Sequence, residues 1–199
     1  MAEFGPRDWR LPVGSMGHRS LGWSGMMMLI MTEGALFAFL LFTYYYFAAH
    51  NGRSWLPAEL PSFRLSLPST LILIASSVAV WWGERGIKAG RPGHLPIGLA
   101  LGFVLGAIFV GIQALEWRDK PFGIASSSYG SVYFTLTGFH LAHVVGGLVM
   151  LLSCLAWSLL HKFDAGRHAA VSIAAIYWHF VDAVWLAIFF TIYVTPQLR

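Results

Sequence analysis

Residues 129–147 read YGSVYFTLTGFHLAHVVGG, and residues 177–193 read YWHFVDAVWLAIFFTIY. Both stretches are apolar and contain no Lys or Arg. Each nevertheless carries two ionisable side chains three positions apart, His140 and His143 in the first and His179 and Asp182 in the second. A helix needs about 20 mostly apolar residues to cross a hydrocarbon core of about 30 Å. The two stretches therefore predict membrane-spanning helices with polar groups inside them.

The same apolar character recurs in five segments, which cover residues 21–49, 67–83, 95–115, 132–160 and 169–194. Hydrophobic residues make up 57% of the chain and charged residues 11%, whereas a soluble domain usually has about 25% charged residues. A membrane β-barrel would show alternating strands of roughly ten residues, and these segments do not alternate. The second segment is short, and we expect Pro68 in the first turn of its helix.

The predicted fold is therefore an all-α integral membrane protein, a bundle of five transmembrane helices. One membrane domain over residues 21–199 would follow a polar N-terminal segment of residues 1–20. With the N-terminus in the cytoplasm and the C-terminus outside, more Lys and Arg residues lie inside than outside, as membrane proteins prefer. The inside set is Arg7, Arg10, Arg19, Arg85, Lys88, Arg91, Lys162 and Arg167, and the outside set is Arg53, Arg64, Arg118, Lys120 and Arg199.

Several functional classes do not fit this sequence. The 13 Lys and Arg residues are scattered over the termini and short loops, so no basic stripe predicts nucleic-acid binding. The single cysteine, Cys154, cannot form an internal disulfide or a thiolate metal site. No P-loop, nucleophile elbow, Rossmann fingerprint or HExxH pattern occurs, and no catalytic residue is predicted.

Small residues recur on the third helix, where Gly98, Gly102 and Gly106 form a tandem G-x-x-x-G. Such spacing lets two helix backbones approach closely. The stripe predicts either a face for a partner subunit or packing inside this bundle. Gly138, Gly146 and Gly147 on the fourth helix are open to the same two interpretations.

Ionisable residues within the membrane suggest function, because a charge at the bilayer centre costs roughly 2.5–3.5 kcal/mol on insertion scales. The set is Glu33 in helix one, His140 and His143 in helix four, and His179 and Asp182 in helix five, with Gln113 and Glu116 ending helix three. Residues three apart share one helix face, so these groups are expected to converge. Three uses are open: a metal or haem site, interhelical hydrogen bonds that pair Glu with His and His with Asp, or a proton path through Glu33. For Glu33 the expected partner is His143 rather than His140.

The order of the motifs adds a resemblance. TEGALFAFLLFTYYY, LPSTLILIASS, GIQALEW, YGSVYFTLTGFHLAHVVGG and YWHFVDAVWLAIFFTIY follow one another from about Met26 to Val194. In this order they closely resemble subunit III of the haem–copper terminal oxidases, in its short five-helix bacterial form. The longer members of that family have seven helices, and this chain resembles them from the third helix onwards.

The resemblance implies an accessory subunit of a bacterial cytochrome c oxidase, of the aa3 or caa3 type, in the plasma membrane. Subunit I would hold the haems and copper and reduce oxygen, and subunit II would receive electrons. Subunit III would carry no metal or other cofactor of its own, steady subunit I, bind phospholipid and support proton uptake. Glu33, within TEGALF, matches the family's buried glutamate that reacts with carbodiimide.

Two other functions remain open from the sequence. The first is the same role in a quinol oxidase or a nitric-oxide-reductase-linked complex, although a glutamate rather than an aspartate at position 33 favours the cytochrome c branch. The second is a free-standing transporter with a proton-linked Glu33–His cluster. Transporters often show inverted repeats and interrupted helices, and this sequence has neither.

Overall fold

Five long helices make up most of the computed structural model, which describes residues 21–57 and 61–198. They are α1 (Leu21–Asn51), α2 (Phe63–Lys88), α3 (His94–Arg118), α4 (Ser128–Leu159) and α5 (Ala169–Phe189). All five are long and apolar enough to cross a membrane, and the described residues form no strand. The predicted all-α membrane fold is confirmed. The predicted N-terminal segment, residues 1–20, lies outside the described residues.

The second helix is longer than predicted, because it begins at Phe63 and ends at Lys88 rather than covering residues 67–83. Pro68 therefore lies inside α2 and not in its first turn, which corrects the expectation for this residue. A proline lacks the N–H that would close a helical turn. Nearby hydroxyls bond to backbone carbonyls in the same region, as Ser66 Oγ does to Ser62 O at 3.1 Å. The carbonyl that Pro68 leaves without a helical N–H partner is that of Arg64, four residues earlier, and it is not the acceptor of this bond.

Helices α1, α3 and α4 also extend past their apolar runs into polar residues, whereas the α-helical part of α5 ends at Phe189, before the predicted residue 194. Helix α1 continues to Asn51 and is followed by a 3-10 turn, Gly52–Trp55. Helix α5 is followed by a π-helical segment, Phe190–Val194, and a 3-10 turn, Thr195–Gln197. The hydrophobic pattern marks the part of a helix that lies in lipid, whereas the backbone hydrogen bonds continue into the interface.

The helices alternate in direction, so their ends form two groups. The Glu116 end of the bundle holds the last turns of α1, α3 and α5 and the first turns of α2 and α4. The opposite end, here the Lys88 end, holds the remaining termini. A tight turn at Gly90, with φ of +72°, joins α2 to α3 there. Glycine adopts this left-handed conformation without the steric cost that a side chain would add.

The core lies among α2, α3, α4 and α5, and α5 contributes its largest members. Trp178 and Trp185 are among the largest side chains that are fully buried. Helix α1 packs against α4 and α5 and buries only Phe37, Tyr44 and Ala48. This arrangement makes α1 the peripheral helix, and its apolar side chains face outward.

Candidate functional site: polar side chains within the helices

Glu33 on α1 and His143 on α4 form a direct contact between the two helices. Glu33 Oε2 lies 3.1 Å from His143 Nε2, and both side chains are mostly buried. The other ring nitrogen, Nδ1, lies 2.7 Å from the carbonyl oxygen of Phe139. A carbonyl only accepts, so Nδ1 carries a hydrogen. The second ring nitrogen, Nε2, is the one that faces the Glu33 carboxyl.

The surroundings of this pair fix the His143 ring and its backbone. The Phe37 ring meets the imidazole edge-on, with ring centroids 5.0 Å apart. Tyr177 on α5 donates a hydrogen bond to the carbonyl oxygen of His143 at 3.3 Å. Glu33 and His143 thus lie on the seam where α1 meets α4 and α5, and the predicted pairing of Glu33 with His143 is present.

His140 points in a different direction, into the core. Its side chain is 1% exposed, and Nε2 donates to the carbonyl oxygen of Val181 at 3.2 Å. The Trp185 ring lies against it, with centroids 4.9 Å apart, and Phe109 meets it edge-on. Three positions along a helix turn the side chain by roughly 60°, which is enough to separate His140 from His143.

His179 and Asp182 meet a hydroxyl of α2 rather than the other histidines. Ser77 Oγ lies 3.1 Å from His179 Nδ1, and the same hydroxyl interacts with the Asp182 carboxyl. Asp182 Oδ1 and His179 Nε2 are buried without a hydrogen-bond partner among the described residues. The expected His–Asp pairing is therefore replaced by a shared serine.

Hydroxyl groups on α2 also form hydrogen bonds with the two core tryptophans. We did not predict these bonds from the sequence. Trp178 Nε1 donates to Ser76 Oγ at 3.0 Å, and Trp185 Nε1 donates to Thr70 Oγ1 at 2.9 Å. The helices run antiparallel, so the earlier tryptophan meets the later hydroxyl. The signal was present in the sequence, because Thr70 and Ser76 repeat at nearly the seven-residue spacing of Trp178 and Trp185.

A second polar cluster lies at the Glu116 end of the bundle. Tyr193 donates to Glu116 Oε1 at 2.6 Å, and Lys120 Nζ lies 2.9 Å from the same oxygen. Tyr133 donates to that oxygen as well, at 3.5 Å. Gln113, one turn earlier on α3, has both amide atoms buried without a hydrogen-bond partner among the described residues. Glu116 thus joins α3, α4 and the end of α5, and sequence reasoning had assigned Lys120 only to an external loop.

The glycine stripe of α3 packs inside this bundle. A Cβ at Gly98 would lie 2.6 Å from the Ala79 carbonyl oxygen and 2.7 Å from Gly83 Cα. A Cβ at Gly106 would lie 2.6 Å from the Trp178 ring. A Cβ at Gly147 on α4 would lie 2.7 Å from another atom of the same Trp178 ring. Of the two open interpretations for these glycines, the contacts favour internal packing.

The expectation of one converging cluster is wrong. The predicted residues occupy four places: the α1–α4 seam, the core, the α2–α5 contact and the Glu116 end. Nowhere in residues 21–57 and 61–198 do three His, Cys, Asp or Glu side chains come together as they would around a metal ion. Each of the four places has a hydrogen bond between helices.

One known protein family matches this chain over nearly its whole length. The sequence pattern of the family described as "Cytochrome c oxidase subunit III" matches residues 17–196, a range that contains all five helices. The chain belongs to this family. The resemblance expected from the motifs is thereby confirmed.

Curated relatives carry the same name. The chain is 40% identical to cytochrome c oxidase subunit 3 of Heterololigo bleekeri, over 87% of this chain and 70% of that protein. It is 39% identical to the protein of that name from Lumbricus terrestris, over 89% of this chain and 73% of the relative. For Drosophila melanogaster the identity is 38%, over 85% and 67% respectively.

Proposed function

We propose that this chain is the accessory subunit III of a proton-translocating cytochrome c oxidase. The observation that carries the proposal is the family match over all five helices, together with relatives named for that oxidase. In the proposed complex, subunit I holds the haems and copper, subunit II receives electrons, and oxygen reduction takes place outside this chain. The chain itself is non-catalytic and holds no redox centre.

The second part of the proposal is a proton-linked role for Glu33 and His143. Its support is the 3.1 Å contact between Glu33 Oε2 and His143 Nε2. Because Nδ1 is already engaged by a backbone carbonyl, a single proton moves between carboxyl and imidazole without breaking another hydrogen bond. Such a pair can accept and release a proton near subunit I and support its proton uptake.

The third part concerns stability and location. Buried hydroxyl–tryptophan hydrogen bonds tie α5 to α2 within the core, which suits a subunit that steadies its neighbour during turnover. Phospholipid and subunits I and II are the proposed partners. The resemblance to short five-helix forms supports a bacterial plasma membrane as the location, and membrane fractionation of the source cell checks it.

Depletion of the subunit tests this function. The oxidase is purified with and without this chain, and turnover is followed until activity is lost. We expect the depleted enzyme to lose activity after fewer turnovers and to take up protons more slowly, and re-addition of the chain to restore both. Identical lifetime and proton uptake in the two preparations would contradict the role. Elemental analysis of the isolated chain tests the absence of a metal, since stoichiometric iron, copper or zinc would overturn it.

A further inference from the structure

A row of redox-active side chains crosses the Glu116 end of the bundle. Tyrosine and tryptophan are the aromatic side chains most easily oxidised by one electron, and here several of them follow one another in contact. In spatial order the row, here the aromatic chain, consists of Tyr45, Tyr44, Trp55, Tyr129, Tyr133 and Tyr193. Tyr45 is 38% exposed, whereas all the other members are buried. The aromatic chain therefore leads from the surface of α1 into the core.

The first half of the aromatic chain runs from α1 to α4. The rings of Tyr45 and Tyr44 have centroids 5.6 Å apart, and those of Tyr44 and Trp55 are 5.1 Å apart. Trp55, in the 3-10 turn after α1, meets Tyr129 on α4 with centroids 5.2 Å apart. All three pairs pack edge to face, a favoured geometry for aromatic rings. An electron can therefore pass from ring to ring without crossing a gap.

The second half runs from α4 to the end of the fifth span. Tyr129 and Tyr133 are one turn apart on α4, and their rings stack with centroids 6.4 Å apart. The Tyr133 hydroxyl lies 3.5 Å from the hydroxyl of Tyr193, which is in the π-helical segment Phe190–Val194. Tyr193 is 0% exposed and forms the inner end of the aromatic chain.

The inner end has a proton acceptor in place. Tyr193 donates to Glu116 Oε1 at 2.6 Å, and Lys120 Nζ lies 2.9 Å from the same oxygen, so Glu116 accepts as an ionised carboxylate. Loss of one electron makes a phenol strongly acidic, and its proton can then pass along this hydrogen bond. Trp55 Nε1 donates only to the Ser128 hydroxyl, at 2.9 Å, which is a far weaker base. The missing electron is therefore most stable on Tyr193.

We propose that the aromatic chain conducts an oxidising equivalent from Tyr45 to Tyr193 and holds it there as a neutral tyrosyl radical. The oxidant is a peroxyl radical of the surrounding lipid, which reaches Tyr45 because this side chain is exposed on a membrane-spanning helix. The peroxyl radical gains one electron and becomes a peroxide anion. Electrons move outwards along the chain, so only Tyr193 is left oxidised. Its phenolic O–H bond breaks, and the proton forms a new O–H bond on Glu116 Oε1.

Electron paramagnetic resonance of the full chain in detergent tests the proposal. A lipophilic azo initiator supplies peroxyl radicals, and frozen samples are measured at high field, where a hydrogen bond to the phenoxyl oxygen lowers the largest g value. We expect the wild-type chain to accumulate a hydrogen-bonded tyrosyl radical and Y193F to lose that signal. E116Q should accumulate less radical, because the proton acceptor is gone while every aromatic ring remains.

The outer end has a matched pair of variants. Y45F removes the exposed member of the aromatic chain, and Y46F removes its more exposed neighbour, whose ring contacts Phe42, Phe47 and His50 instead. We expect Y45F to lose most of the Tyr193 signal and Y46F to keep it. Both positions are on the periphery of the bundle, so this comparison does not depend on the stability of the core.

A second matched pair tests the middle of the aromatic chain. W55F keeps a ring in place but interrupts electron transfer, whereas W82F removes an exposed tryptophan near the Lys88 end. We expect only W55F to suppress the Tyr193 signal.

Three outcomes overturn the proposal. A wild-type radical without a hydrogen bond, or one unchanged in Y193F, would remove Tyr193 as its resting place. Equal signals in Y45F and Y46F would remove the entry point, and an undiminished signal in W55F would remove the path. The test uses the isolated chain, so its outcome is independent of whether the chain assembles into an oxidase.

Discussion

Glu33 is paired with His143 across two helices. Its carboxyl is on the peripheral helix, yet its partner His143 belongs to the core bundle and is held by the Phe139 carbonyl. The contact ties α1 to α4, and we propose that it also holds a shared proton. Substitutions that keep the shape and remove the proton separate these two effects.

The E33Q substitution keeps the size and a hydrogen bond but cannot share a proton with His143. Interhelical hydrogen bonds in membranes contribute about 0.6 kcal/mol on average. We expect the oxidase to assemble normally and the free energy of unfolding to change by less than about 1 kcal/mol. Proton uptake, or the number of turnovers before inactivation, should fall. Rapid proton-uptake measurements and long turnover assays check this.

The matched control for Glu33 is E84Q on α2. Glu84 pairs with Lys88 one turn further along the same helix, near the Lys88 end. Ion pairs between residues four apart on one helix contribute about 0.3–0.5 kcal/mol to stability. We expect E84Q to have wild-type proton uptake and lifetime. If E33Q also has wild-type values for both, the proton-linked role is wrong.

Tyr193 provides a test of the cluster at the Glu116 end. Its hydroxyl donates to a buried carboxylate oxygen at 2.6 Å, and Lys120 lies on the same oxygen. Y193F removes this donor, and hydrogen bonds to charged groups contribute about 1.5–3 kcal/mol. We therefore expect a loss of about 1–2 kcal/mol in the free energy of unfolding, measured by denaturant titration in detergent.

Y46F serves as the comparison for Y193F. Tyr46 is on the outward face of α1 and is 54% exposed. Surface substitutions usually change stability by less than about 0.5 kcal/mol. Equal stability of Y193F and Y46F would contradict the assigned contact between Tyr193 and Glu116.

At the scale of helices, the closest approach is between α2 and α3. Gly98 and Gly83 face each other there, and any Cβ at Gly98 would meet backbone atoms of α2. Backbone cannot move aside as a flexible side chain can, so even the smallest substitution forces the helices apart. This contact explains the G-x-x-x-G spacing without a partner subunit.

G98A is therefore expected to destabilise the bundle by about 1–3 kcal/mol, the usual cost of overpacking. G111A on the same helix is the control, because a Cβ there would meet nothing within 4 Å. Alanine favours a helix over glycine by up to about 1 kcal/mol, so G111A should be neutral or slightly stabilising. Thermal unfolding in detergent measures both. Equal melting temperatures would show that α2 and α3 are not in close contact at Gly98.

Hydropathy predicted the number and order of the helices but not their ends. Helix α2 was placed at residues 67–83 and spans Phe63–Lys88. Its first turn contains Arg64 and Ser66, and its last turns contain Arg85 and Lys88, so apolar content falls while helical hydrogen bonds continue. Polar helix ends at the membrane interface cannot be separated from loops by hydrophobicity alone.

For the polar residues, sequence spacing predicted pairs but not directions. The Glu33–His143 contact could be predicted because both residues are in apolar helices and each needs a partner. The separate positions of His140, His179 and Asp182 could not be predicted, because helix rotation decides which of two residues on one face enters the core. The hydroxyls of Thr70, Ser76 and Ser77 were missed, since serine and threonine are common in membrane helices and carry no charge.

For the whole molecule, the structure separates a compact four-helix core from a peripheral helix. Helices α2 to α5 hold the buried tryptophans and the glycine stripe, whereas α1 attaches along one side. Most of the polar contacts described here stabilise that core, and the described residues form no cluster that could hold a metal ion.

Purification of the chain in mild detergent tests its assignment as an oxidase subunit most directly. A tagged chain is isolated from its native membrane, and the optical spectrum and subunit composition of the product are measured. We predict a complex that contains subunits I and II and has the absorption of haem a. Haem b and haem o without haem a would favour a quinol oxidase instead. A chain that emerges alone, with no haem-bearing partner, would contradict the account.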